Sequence, residues 1–127
     1  MVIATSLEFP KSSRLLQSAD YTHVFNDAVF RAGHSNLLIL AKPNQYTFPR
    51  LGLVISKKNV RLAVQRNRIK RLVRESFRVK QHNLPAIDAI VLARRGADTL
   101  PNDALITVLD TLWQKLIKKA ASNSEIR

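Results

Sequence analysis

The 127 residues contain no cysteine, three glycines and only nine acidic side chains, and each shortage closes off a chemistry. Without cysteine there is no disulfide, no thiolate nucleophile and no thiolate metal ligand, which fits a reducing compartment. Gly33, Gly52 and Gly96 are too few and too scattered for a phosphate-cradling loop of the dinucleotide or P-loop kind. Asp20, Asp27, Asp88, Asp98, Asp103 and Asp110 are spread along the chain, where capping and solvation account for most of them, so no acid pair suggests general acid/base work. His23, His34 and His82 lack the spacing of a metal-binding set, and no metal site on the protein is expected. No apolar run approaches the roughly 18 residues of a membrane span. The opening "MVIATSLEFP" also lacks the basic and long apolar regions of a secretory signal, so the expectation is a soluble, cytoplasmic protein with no membrane partner.

What the chain has in excess is positive charge. Lys and Arg number 21, the net charge is +12, and a 46% hydrophobic composition is ample for one packed domain. Such an excess suits a polyanion, though charge alone does not rank RNA above DNA, an anionic membrane or an acidic protein. Its placement says more. Residues 50–80 hold 11 of the 21 cations and one of the nine acids, a net of +10 that leaves only +2 for everything else. A basic block confined to one stretch of an otherwise balanced chain marks a binding face.

The periodicities order the elements as α-β-β-α-β-α, an α+β fold with a small mixed sheet and room for one further short strand. Residues 1–13 show no period and read as a mobile lead-in, as does the polar tail 121–127 at the other end. From Ser18, "SADYTHVFNDAVF" places Tyr21, Val24, Phe25, Ala28 and Val29 at helical spacing. "NLLILAK" and "LGLVISKK", separated by the turn-rich "PNQYTFPR", read as an antiparallel hairpin. "AIDAIVLARR" is apolar on both faces, as a covered strand should be. Pro101 and Asn102 open a last helix in which Leu105, Val108, Leu109, Leu112 and Leu116 repeat.

Between strands two and three lies "VQRNRIKRLVRESFR", residues 64–78. With Ile69 at zero on a 100° wheel, Leu62, Leu72, Val73, Ser76 and Phe77 fall within about 80° and form the inward face. Asn67, Lys70, Arg71, Arg74 and Arg78 fall opposite. A merely solvated helix would gain from interleaved acids at i,i+4, and this one offers only Glu75. Clustered like charges are better explained by phosphates that relieve their repulsion.

The order of these residues resembles a known family. "RNRIKRLVRESFR", preceded by "LGLVISKKNVRLAVQ", is similar to the signature of the bacterial ribonuclease P protein subunit. The likeness extends to "RLLQSADYTHVF", to "LPAIDAIVLARRG" and to the Trp113-containing last helix. It implies a protein that binds a large catalytic RNA and helps it remove the single-stranded 5′ leader of precursor tRNA, as part of a ribonucleoprotein endoribonuclease. The chemistry then belongs to the RNA and its Mg2+ ions, with no catalytic residue on the protein and no DNA partner. The resemblance assigns Arg66, Asn67, Arg68, Lys70, Arg71 and Arg74 to the RNA-facing ridge and adds Lys57 and Lys58 at the strand end. It assigns Tyr21, Phe25, Leu38 and Leu40 to a leader cleft, although spacing alone serves equally well to make Tyr21 and Phe25 core. It also implies a left-handed βαβ crossover around the basic helix, against the usual hand. One departure stands out: many members carry a glycine before the basic helix, where this chain has Asn59, Val60 and Arg61.

Overall fold

A computed structural model describes Arg14 and residues 18–126 of the chain, with side chains described as far as Ser122. Helix α1 spans Ser18–Asp27. It is followed by strands β1 (Phe30–Gly33), β2 (Leu37–Pro43) and β3 (Arg50–Val54), helix α2 (Ala63–Lys80), strand β4 (Ile87–Ala93) and helix α3 (Asn102–Ile126). The expected order is present, with β1 as the additional short strand. The lead-in read at residues 1–13 lies outside the described residues. Helical backbone continues through 121–126, where the sequence reading places a tail.

The expected hairpin does not form. The sheet order is β1-β2-β4-β3, so β4 lies between the two strands that sequence proximity would pair. It runs antiparallel to β2 and parallel to β3. The reason lies in β4 itself, where six of seven residues are buried. A strand apolar on both faces gains most from two strand neighbours and two covered sides. The connection from β2 to β3 therefore bridges the end of β4, and the Asn44 N–H donates to the Ala86 carbonyl at 3.0 Å as it crosses.

The two faces are covered unequally. Helices α2 and α3 share one side, where Leu37, Ile39 and Ala41 of β2, Leu51 of β3 and Ala89, Val91 and Ala93 of β4 meet Ile69, Val73, Phe77, Leu105, Leu109, Leu112, Trp113 and Leu116. On the other side, among the described residues, stands α1, packing Val24 on Ile90 with Tyr21, Leu40, Val54 and Leu92 around them. The helix stops at Asp27, so Ala28 and Val29 leave the periodic stripe and Val29 is exposed. Leu62 also departs from expectation: it is the residue that caps α2 rather than part of its buried face, and it is 48% exposed.

Packing between α2 and α3 centres on one polar contact in an apolar setting. The Trp113 indole N–H donates to the Ser76 hydroxyl at 2.9 Å, with both residues buried, and the Trp113 and Phe77 rings meet at 5.9 Å. A buried indole needs a partner. Replacing Ser76 with Ala should lower unfolding stability by about 1–3 kcal/mol in urea titration while leaving the far-ultraviolet circular dichroism unchanged, because the stranded donor keeps its place in the core.

Candidate nucleic-acid interface

Helix α2 buries Ile69, Val73, Ser76 and Phe77, so its orientation is set by the core. The opposite face is thereby presented to solvent: Asn67, Arg71 and Arg74 are exposed and Lys70 is half-buried. None of these four makes a side-chain hydrogen bond or ion pair among the described residues. Glu75, the helix's single acid, pairs with Arg78 one turn on, and that guanidinium holds its carboxyl below the usual carboxylate range. The acid therefore offsets the far end of the helix and leaves Lys70, Arg71 and Arg74 uncompensated.

Arg66 and Arg68 behave differently from their neighbours. Arg66 Nη1 donates to the Val60 and Arg61 carbonyls at 3.0 and 2.8 Å, closing the loop that leads into α2. Arg68 is more heavily engaged. Its Nε meets Gln65 Oε1 at 2.8 Å, its Nη1 meets Asn102 Oδ1 at 2.7 Å, and its Nη2 meets the carbonyls of Asp98 and Leu100 at 3.2 and 3.0 Å. One side chain thus ties the basic helix to the first residue of α3 and to the turn before it.

Lys57 and Lys58 are exposed in the loop between β3 and α2. Asn59, standing near the family's glycine position, anchors that loop: its Nδ2 donates to the Ala93 carbonyl at 3.0 Å, while Val60 beside it is fully buried. Among the described residues no non-glycine has positive φ, so nothing in this loop demands glycine. The anchor sets the two lysines beside the end of β4, where Arg94 is held by the His34 carbonyl at 2.9 Å and Arg95 is exposed. Arg95 does not stand out in the sequence, where "ARRG" reads only as a strand end. Its signal is Gly96, whose φ of 91° makes the left-handed turn that follows.

The residues assigned to a cleft fall into two groups. Tyr21 and Leu40 join the small cluster beneath α1, and the Tyr21 hydroxyl accepts the Leu53 N–H at 3.2 Å. Tyr21 is therefore partly a packing residue. Leu38 is buried in β2, in register with Gly33 and Leu92. Phe25 alone is substantially open, at 44% exposure. Among the described residues no three His, Asp or Glu side chains converge as metal ligands, and no helix is long and apolar enough to cross a membrane.

The sequence model of the family described as Ribonuclease P matches residues 9–117. The chain is 54% identical over 116 residues to a ribonuclease P protein component of Chromohalobacter salexigens, covering 91% of each chain. It is 56% identical over 112 residues to that of Saccharophagus degradans, covering 88% of this chain and 83% of the relative. The fold superimposes on the RNase P protein of Staphylococcus aureus with a TM-score of 0.78 at 28% identity, over 84% of this chain and 99% of the other.

The division between engaged and open cations has a measurable consequence. Arg68→Ala strands acceptors in three segments and should cost about 1–3 kcal/mol in urea unfolding. Arg71→Ala removes a side chain with no partner among the described residues and should change stability by no more than about 0.5 kcal/mol.

Proposed function

The chain belongs to the ribonuclease P protein family, the protein part of a ribonucleoprotein endoribonuclease, and on that premise we propose that it docks on the catalytic RNA through α2 and receives the 5′ leader of precursor tRNA beside α1. The observation that carries the first half is the row Asn67, Lys70, Arg71 and Arg74, fixed in direction by the core behind it and without partners among the described residues. Arg side chains in such a row can form forked hydrogen bonds to phosphate oxygens while Lys acts as a point charge. Lys57 and Lys58 extend the row at the end of β3, and Arg66 and Arg68 contribute by holding the loop and the helix that present it.

The second half rests on Phe25, an aromatic 44% exposed on α1, with Tyr21 and Leu40 in the small cluster beneath that helix and Leu38 buried in β2. Unpaired bases stack on such faces without regard to sequence. Hydrolysis is assigned to the RNA. Mg2+ is assigned to the RNA and substrate, as the family resemblance implies. Location in the cytoplasm, where precursor tRNA is processed, follows from the same assignment.

Reconstitution with a bacterial ribonuclease P RNA at low magnesium tests the reading. The complex should remove the leader, whereas rigorously RNA-free protein should not; specific cleavage by the protein alone would overturn the division of labour. Changing Arg71 and Arg74 together to Gln should weaken docking and flatten the log–log salt dependence by about 0.7–0.9 for each phosphate no longer neutralised. Phe25→Ala should reduce affinity for leader-bearing precursor roughly 5- to 150-fold, the equivalent of about 1–3 kcal/mol of stacking, and leave mature tRNA bound as before. Equal weakening for both substrates would remove Phe25 from the leader site.

A further inference from the structure

The other flank of α1 carries a pocket that none of the four cleft residues lines. It has a volume of about 520 Å3 and is bounded by Asp20 and His23 of α1, Lys42 and Pro43 of β2, Asn44–Tyr46 of the following loop, Arg50 and Asp88. On a helical wheel Phe25 projects about 140–160° away from Asp20 and His23, so Phe25 and this pocket lie on opposite sides of the helix. The volume falls within the range of small-ligand sites.

The pocket is built rather than incidental. Arg50 Nε and Nη2 meet the two oxygens of Asp88 at 2.8 and 2.7 Å, and Nη2 also approaches Asp20 at 3.4 Å, leaving the Arg50 side chain 13% exposed. Hydrogen bonding to Asp88, with the attraction of both carboxylates, keeps that guanidinium charged despite its burial. So fixed, its carbon lies 4.5 Å from the centre of the Tyr46 ring. The loop that carries Tyr46 is held by Asn44: its Oδ1 accepts the Tyr46 N–H at 2.9 Å, and its Nδ2 donates to Phe48 O and Asp88 Oδ1 at 3.2 and 2.9 Å. Yet Tyr46 remains 50% exposed. An aromatic ring backed by an immobilised guanidinium, tilted at 39° against the Phe48 ring with centroids 5.4 Å apart and still half exposed, is a pre-positioned stacking surface.

We propose that this pocket binds one unpaired nucleobase, stacked on Tyr46, as a second RNA contact separate from the leader cleft. The proposal rests on the RNA-binding reading above for the source of the base. Local charge argues for the base rather than its phosphate: Asp20 and Asp88 balance Arg50 and Lys42, so the pocket has none of the cationic excess of α2. At the rim the Gln45 amide, which has no partner among the described residues, can meet the acceptors of a base edge, beside the Lys42 ammonium that lies 3.7 Å from Asp27.

Titration of the full chain with the four ribonucleoside 5′-monophosphates, followed by amide chemical shifts, is the direct test, with ribose 5-phosphate as the base-free control. The nucleotides should shift Gln45, Tyr46 and Arg50, the control should not, and the response should vanish in Tyr46→Ala and survive in Tyr46→Phe. An equal response to ribose 5-phosphate, or one that persists in Tyr46→Ala, would overturn the proposal. In the reconstituted complex, Tyr46→Ala should weaken one RNA by roughly 5- to 150-fold. Weakening confined to leader-bearing precursor makes the leader the source, and weakening of the RNA subunit itself makes that subunit the source; unchanged affinity for both sinks the site. The titration requires no RNA subunit, so it reads the pocket even if reconstitution fails, and a null result there leaves the roles of α2 and Phe25 standing.

Discussion

A strand buried on both faces must be covered twice, and β4 imposes that requirement on the whole molecule. Its alternate residues supply both cores: Ala89, Val91 and Ala93 on one side, Ile90 and Leu92 on the other. The first side receives two long helices and closes completely. Among the described residues the second receives only the ten residues of α1, too few to cover a four-stranded sheet. The basic surface of α2 follows from the first side being occupied, since its inward face is taken up by the core.

Much of this is legible in residue order. The inward face of α2 follows from its period, and Ile69, Val73, Ser76 and Phe77 are all buried as that period requires. The pairing of strands is not legible, because turn-rich residues between two apolar runs describe a hairpin and a split pair equally well. Only the double-sided apolarity of β4 separates the two, and it does so by saying which strand must be central.

The basic residues show a finer limit. A motif reading treats Arg66, Asn67 and Arg68 as one unit, but the wheel already sets Arg66 about 60° and Arg68 about 100° from the buried centre, on the two shoulders of the helix. Side chains on shoulders reach back to the protein, and both do. What no wheel can supply is the identity of the acceptors, since the Asp98 and Leu100 carbonyls lie some thirty residues away and become neighbours only through the fold. The Arg50 and Tyr46 arrangement is hidden for the same reason, because Asp88 enters it across the sheet.

An open sheet has two rims, and an unpaired rim invites a foreign strand to add to it. Here each rim meets a helix-borne side chain: on β3 the Tyr21 hydroxyl takes the Leu53 N–H, and on β1 the Lys119 ammonium reaches the Arg31 carbonyl. A bridge between Arg14 and Leu51 adds a further stop on β3. Self-association by strand addition, the common hazard of small mixed sheets, is blunted at both ends by polar groups already in place. A chain with so much cationic surface can then meet a folded polyanion at high local concentration while its own sheets stay apart.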